Sequence, residues 1–313
     1  MADPEDRPVL LALRALKLGD LLVAVPALAA LRRGFPEHRI VLATSGWLEP
    51  IVELLETVDE LLPAAGLSKP LEIAPGTIDV AVNLHGRGPE SSAVLEAVRP
   101  RRLIAHAPDL PEGPAWIDGI HERERWARLV RSAGLDANAD DVFIPAPPMG
   151  PVVPDAAVVH VGAFYGSRRW PEGRFADVIR ELTARGERVV VTGDENDRER
   201  ALRVARAAGI GEHAVLAGRL DLAGFAALVA DARVVVSVDT GAAHLASAYG
   251  TRSVVLFGPA PPEEWGPPAG GPHIVLTDAS RRRGEVFSDE PDPALLAVGS
   301  DEVLAAIDRL GLS

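Results

Sequence analysis

Short runs of β-branched residues and leucine alternate along this chain with stretches of helical periodicity, and that alternation leaves few folds open. It is the mark of βα units, which build a parallel sheet covered by helices. In the first half the strands are expected at 9–13, 39–43, 79–84 and 102–105, with helices at 20–33, 48–55, 89–98 and 122–132. Then comes PAPPMGPVVP, residues 145–154, whose five prolines suit neither a helix interior nor a central strand. It reads as a stiff linker. Beyond it the alternation restarts, with strands at 157–161, 188–192, 214–216, 234–238 and 253–257 and helices at 174–185, 197–208, 222–230 and 242–249. Ser300 suits the N-cap of a last helix, 301–310. The expectation is an α/β chain of two doubly wound, Rossmann-like parallel-sheet domains facing a cleft. They span 1–145 and 157–299, joined by a Pro-rich linker at 146–156 and followed by a C-terminal helix at 300–313. Ligands in such sheets bind beyond the carboxyl ends of the strands.

Composition narrows the function classes. The 313 residues carry a net charge of −13, which argues against a nucleic-acid partner, because phosphate contacts need a basic face. There is no cysteine, so disulfides, thiolate metal sites and cysteine nucleophiles are excluded. MADPEDRP lacks the basic start of a signal peptide, and the apolar run from Val9 to Leu31 is broken by Arg14, Lys17 and Asp20. These features fit a cytoplasmic enzyme or binding protein with at most peripheral membrane contact.

Four strand ends carry polar groups. In LKLGDLLVAVPAL, residues 16–28, Asp20 stands where an apolar strand becomes an apolar helix. A buried unpaired carboxylate is costly, so Asp20 is either a helix cap, worth about 1 kcal/mol, or a general base at a cleft. In VVHVGAFYGSRRWPEGRF, residues 158–175, two glycines, Ser167, Arg168 and Arg169 precede a helix start at Trp170-Pro171. Guanidiniums beside a helix N-terminus suit a phosphate, the alternative being a solvated basic loop. In VTGDENDRERA, residues 191–201, Asp194, Glu195 and Asp197 suit either ribose hydroxyls or the dipole of the next helix. In VVVSVDTGAAHLASAYGT, residues 234–251, a strand delivers Asp239, Thr240 and Gly241 onto a helix that opens with Ala242 and Ala243. Small residues there let a large anion approach free backbone N–H groups, with His244 in the first turn.

A G-x-G-x-x-G after the first strand, a Walker A lysine, G-x-S-x-G and any D-x-D pair are all missing, so dehydrogenase, P-loop ATPase and serine hydrolase readings gain nothing. The order of the four segments says more than each alone. R-x-L-K-L-G-D-x-x-x-x-x-P-A-L near the start, then SRRWPEGRF, VVVTGDENDRERA, VVVSVDTGAAHLASAYGT and SVVLFGPAPPEEWGP, resembles glycosyltransferase family 9, the ADP-heptose:lipopolysaccharide heptosyltransferase-like enzymes. The resemblance implies the GT-B architecture, with an acceptor-binding first domain, a nucleotide-sugar-binding second domain and a terminal helix packing back across them. It implies an inverting, metal-independent transfer with no cofactor. The co-substrate is a nucleotide-diphosphate sugar, best matched by ADP-heptose, and the acceptor is a glycan, glycolipid or small-molecule hydroxyl. Carried over by position, Asp20 is the catalytic base and Arg168, with Arg169 and Ser167 beside it, neutralises the leaving diphosphate. Glu195 holds the ribose, Asp239 approaches the sugar hydroxyls, and Thr240, Gly241, Ala242 and His244 form the diphosphate-holding turn.

The chain departs from the family pattern at His160-Val161-Gly162-Ala163-Phe164, where members often carry hydroxyls, and the Phe164-Tyr165 pair suits the wall of a sugar pocket. In NLHGRGPE, residues 83–90, Asn83, His85 and Arg87 are acceptor-binding candidates, a solvated turn being the alternative. A sugar-nucleotide epimerase or hydrolase on the same fold, and a non-catalytic nucleotide-sugar-binding protein, are the competing functions.

Overall fold

The computed structural model describes residues 7–107 and 112–312, so the acidic first residues and Ser313 lie outside the described residues. The chain divides between Ile144 and Pro145 into two units.

The first unit runs β1 (Val9–Leu13), α1 (Leu18–Gly34), β2 (Arg39–Thr44), α2 (Glu49–Val52), β3 (Glu60–Pro63), β4 (Val80–Asn83), α3 (Glu90–Ala97), β5 (Arg102–Ile104) and α4 (Glu122–Ser132). Its sheet is parallel throughout, in the order β3-β2-β1-β4-β5, with Leu10 beside both Ile40 and Val80. Strands covered on both faces must be apolar on both, which is why β1 reads VLLAL without alternation. β3 was not anticipated; it is a short edge strand ending in Pro63, a position where a missing N–H is tolerated. α1 is buried over most of its circumference and packs on α4.

The second unit runs β6 (Ala157–His160), α5 (Glu172–Ala184), β7 (Val189–Thr192), α6 (Arg198–Ala208), α7 (Leu222–Ala230), β8 (Val234–Val238), α8 (Gly241–Tyr249), β9 (Ser253–Leu256), α9 (Pro262–Trp265), β10 (His273–Leu276), α10 (Pro293–Ala297) and α11 (Ser300–Arg309). Its parallel sheet has the order β10-β9-β8-β6-β7, with Val159 beside both Val191 and Val236. The strand expected at 214–216 is instead a 3₁₀ turn, Glu212–Ala214, with one bridge from Val215 to Val191. β10 supplies the fifth strand. The apolar face of the terminal helix joins the core of the second unit. Val303, Ala306 and Ile307 sit in the same cluster as Val159, Trp170 and Phe175, and Arg185 pairs with Asp308.

Each strand order reverses once. The chain winds outward from β1 through β2 to β3, then returns to the other side of β1 with β4. The second unit does the same between β6 and β8. These reversals leave a crevice at the strand ends, the usual ligand position in open α/β sheets.

Behind the first sheet an aromatic cluster closes on His106, which follows β5. Its ring lies edge-on to Trp116 at 5.0 Å and to Trp126 at 5.8 Å. His106 is buried, and neither ring nitrogen finds a hydrogen-bond partner among the described residues. Burial, helped by Arg125 and Arg128, pushes its pKa from 6.5 down to about 4. Above pH 6.5 the imidazole is neutral folded or unfolded. Between 6.5 and 4 only the unfolded chain takes up the proton, so stability falls as pH falls, by about 1.4 kcal/mol per pH unit. We expect His106→Phe to lose less of its melting temperature between pH 7 and pH 5 than the parent protein. Parallel curves by calorimetry would place the acid sensitivity elsewhere.

Candidate active site

In the first unit the polar groups gather where β1 and β4 end. Asp20 is not the N-cap of α1: Lys17 occupies that position, and Asp20 is the third helical residue, its Oδ2 accepting the Lys17 N–H at 3.3 Å. This reaching back satisfies a free helix-start donor, and the negative side chain suits the positive end of the helix. The other oxygen, Oδ1, lies 3.5 Å from Nη2 of Arg14. The Asp20 side chain remains 26% exposed, whereas the Arg14 side chain is only 1% exposed.

Arg14 is the residue that sequence reasoning passed over. Its Nε donates to the Asp20 carbonyl at 2.8 Å, and Nη1 donates to the carbonyl of Leu84. The guanidinium lies 4.6 Å from the ring centre of Trp126. Burial lowers its pKa, while Asp20 and then Glu122 raise it again. One side chain thus ties the loop after β1 to the loop after β4. Only its place in the R-x-L-K-L-G-D run hinted at this, because a lone arginine at a strand end carries no pattern of its own.

The three acceptor candidates separate. Asn83 is fully buried and donates through Nδ2 to Ser91 and Ser92 at 2.9 and 3.0 Å. Its Oδ1 accepts from the backbone of His85 and Gly86, so it shapes the turn and does not reach a ligand. His85 is half-buried near Arg14 and Asp20; burial first, then Arg14, lowers its pKa, so the ring is neutral near pH 7. Arg87 is exposed on the turn before α3.

In the second unit the corresponding strand ends bring together Arg168, Asp239 and His244. Arg168 ends a 3₁₀ turn, Gly166–Arg168, and donates through Nη1 to the Asp239 carbonyl at 3.2 Å. Its Nη2 lies 3.4 Å from Asp239 Oδ2, while its Nε is buried without a hydrogen-bond partner. His244 Nε2 is 3.8 Å from the other Asp239 oxygen. Asp239 was expected to meet sugar hydroxyls; its carboxylate is instead buried and turned onto Arg168. Thr240 caps α8 with its backbone only, since its hydroxyl turns back to Val238. The helix therefore starts at Gly241 without a side-chain cap from Thr240 and with buried Ala242 next. Arg169 is exposed and points to no partner among the described residues.

Ser167 requires a correction. It is 1% exposed, and its hydroxyl donates to the Val286 carbonyl at 2.6 Å, so it cannot offer that hydrogen to a phosphate. It belongs to a strap. The Ser167 N–H donates to Ser288 at 2.8 Å, and the Asp292 N–H donates to Ser167 at 3.0 Å. Buried Asp292 accepts from the N–H groups of Arg283, Gly284 and Ala294 at 3.1, 3.3 and 2.9 Å.

Glu195 is exposed after β7, with its carboxylate lying over Gly218, whose φ is +69°. Asp194 and Asp197 bond each other's backbone N–H, both at 3.1 Å, and burial raises the Asp197 pKa. A further residue missed from the sequence is His160 at the end of β6. It contacts Thr192 Oγ1 at 3.1 Å, lies 5.4 Å from the Phe225 ring, and is pushed to a pKa of about 4 by burial. Among the described residues no group of three or more His, Asp or Glu side chains is arranged to hold a metal ion, and no helix is long and apolar enough to cross a membrane.

Two units, each an all-parallel five-stranded sheet covered by helices, match the GT-B class of fold. The solved structure of E. coli ADP-heptose LPS heptosyltransferase II superposes with a TM-score of 0.76 over 96% of this chain and 98% of that one, at 18% identity. A family 9 glycosyltransferase from Veillonella parvula gives 0.75 over 99% and 98%, at 18% identity. The model of glycosyltransferase family 9 (heptosyltransferase) matches residues 98–284, and the chain belongs to that family. Lipopolysaccharide heptosyltransferase 1 of Pseudomonas aeruginosa is 39% identical over 165 residues, which cover 52% of this chain and 40% of that protein. Lipopolysaccharide heptosyltransferase 2 of E. coli is 21% identical over 286 residues, covering 79% and 81%.

The strap generates a test. A Cβ on Gly166 would lie 1.8 Å from the Asp289 carbonyl oxygen, closer than any real contact allows. We expect Gly166→Ala to destabilise the protein by about 1–3 kcal/mol, the usual range for overpacking. An unchanged melting temperature would show that the strap yields freely.

Proposed function

We propose that this chain is an inverting glycosyltransferase that moves a heptose from an ADP-linked donor to a hydroxyl of a glycan or glycolipid acceptor. The observation that carries the reading is Asp20: a carboxylate fastened by the Lys17 N–H and Arg14, yet exposed enough to meet an incoming hydroxyl. Family membership supports the reaction class, and a neighbour with the same fold supports the choice of an ADP-linked donor. The structure of E. coli heptosyltransferase WaaC with ADP superposes with a TM-score of 0.70 over 96% of this chain and 99% of that one, at 20% identity.

The acceptor oxygen attacks the anomeric carbon as its proton passes to Asp20. The bond from that carbon to the diphosphate oxygen breaks, and the nucleoside diphosphate leaves with the electron pair. A single displacement from the face opposite the leaving group inverts the anomeric centre. The developing charge on the diphosphate is met by Arg168, by exposed Arg169 and by the open N-terminus of α8, with Glu195 toward the ribose. His85, neutral beside Asp20, is suited to hydrogen-bonding the acceptor. This chemistry asks for no divalent metal, because cationic side chains and a helix end do that work. A cytoplasmic setting, where sugar nucleotides are made, completes the reading.

Asp20→Asn should lower transfer by about 10²–10⁴-fold, the usual contribution of a general base, and leave donor affinity unchanged. Near-native turnover with the acceptor present would falsify the assignment of the base. Consumption of donor in water alone, at the same rate with and without acceptor, would instead favour a hydrolase or epimerase.

On the donor side, Arg168→Ala should weaken ADP binding by about 10–150-fold, the worth of roughly 1.5–3 kcal/mol for a charge-assisted bond. Transfer by the parent protein should persist in excess EDTA. Calorimetry giving unchanged ADP affinity removes Arg168 from the site, and activity that is lost to EDTA and recovered with Mn²⁺ overturns the metal-free reading.

A further inference from the structure

The acid at Asp20 does not hold itself in place. Among the described residues its carboxylate accepts one backbone bond, a long one of 3.3 Å from the Lys17 N–H, and the carboxylate of a third helical residue can turn about two side-chain torsions. Arg14 meets it from below with a guanidinium that is itself immobilised on three sides. Nε is fixed by the Asp20 carbonyl, Nη1 by the Leu84 carbonyl, and the flat face by Trp126. Nη2, the remaining nitrogen, is buried and makes no contact tighter than the 3.5 Å ion pair with Asp20 Oδ1. That arrangement aims one charged donor at one carboxylate oxygen and leaves Oδ2 toward the Lys17 side.

Trp126 is in turn unable to shift. Its ring sits 6.1 Å from Trp116 and 5.8 Å from His106, each edge-on, and Arg125 lies 4.0 Å over the opposite partner, Trp116. Arg125 is anchored by Glu122 at 2.6 Å and by the Ile117 carbonyl at 2.6 Å. Two arginines and two tryptophans thus form a stack that begins on α4 and ends at Asp20. Guanidinium planes suit such seats because they are planar and weakly hydrated.

We propose that Arg14 is the positioning residue of the catalytic carboxylate, and that Trp126 acts through it as a seat one layer further from the chemistry. The proposal rests on the reading of Asp20 as the general base. Arg14 touches no reacting atom. It sets where the Asp20 carboxylate stands when the acceptor hydroxyl arrives, and displacement of a reacting group by about 1 Å can cost about 100-fold in rate. Lysine in its place keeps the charge and loses the fork, so it reaches one of the three anchors and not all of them.

The experiment is a double-mutant cycle on the full chain, read as kcat and KM separately. Arg14→Lys should lower kcat about 10–100-fold with the donor KM unchanged. In an Asp20→Asn background the same substitution should change the residual kcat by less than about twofold, because a residue acting through Asp20 has nothing left to position. Trp126→Leu should lower kcat in the parent background, and Trp126→Phe, which keeps an aromatic face, should recover most of the loss. Equal fractional losses of Arg14→Lys with and without Asp20 would overturn the proposal. If Arg14→Lys does not fold, the tryptophan pair decides: Trp126→Leu with parental kcat, or Trp126→Phe no better than Trp126→Leu, overturns it equally. Asp20→Asn that retains full transfer refutes the base itself and the proposal with it, an outcome distinct from additivity in an otherwise silenced enzyme.

Discussion

A guanidinium with 1% of its side chain exposed is among the least expected occupants of a protein interior, and the first unit is organised around one. Arg14 remains buried because carbonyls, a carboxylate and an indole face surround it in place of water. Those partners come from three separate pieces of chain. The Asp20 carbonyl fixes the start of α1, the Leu84 carbonyl fixes the loop after β4, and Trp126 fixes α4. Taking away the cation would leave two carbonyls and an acid without their partner, so the same contact that shapes the site also holds the strand ends together.

The second unit repeats the motif with a different balance. Arg168 also bridges the strand-order reversal, here from the loop after β6 to Asp239 at the end of β8. Its side chain is 24% exposed, against 1% for Arg14, and its Nε is uncommitted. The two arginines thus differ in solvent exposure, one sealed among its partners and the other with an open flank.

Much of this was legible in the residues. The βα alternation of both units is a local pattern, and local patterns survive folding. What was not legible depends on partners far along the chain. Arg14 reads in sequence as a charge interrupting an apolar run; only the approach of Leu84 and Trp126 makes it a staple. Asn83 and Ser167 look like ligand groups because they are polar at strand ends, and both turn inward to neighbouring chain. Residues 214–216 have a strand's composition, but Val215 makes a single bridge and the fifth place goes to half-buried β10. Apolarity marks a segment for burial without saying which neighbour it will have.

The strap over Gly166 and Ser167 has a consequence for how the second unit can be divided. The loop carrying Arg168 leaves the sheet after the first strand of its unit, yet its walls are Val286, Ser288 and Asp289, more than a hundred residues later, with Asp292 closing the knot. The family model ends its match at residue 284, just before those walls. A piece of chain cut after β10 would keep every strand of the sheet and every charged group described at its edge, and still lose the mould in which the arginine loop is cast. Nor can that loop be exchanged for a relative's on its own. Loop and tail form one packed unit, written at opposite ends of the domain.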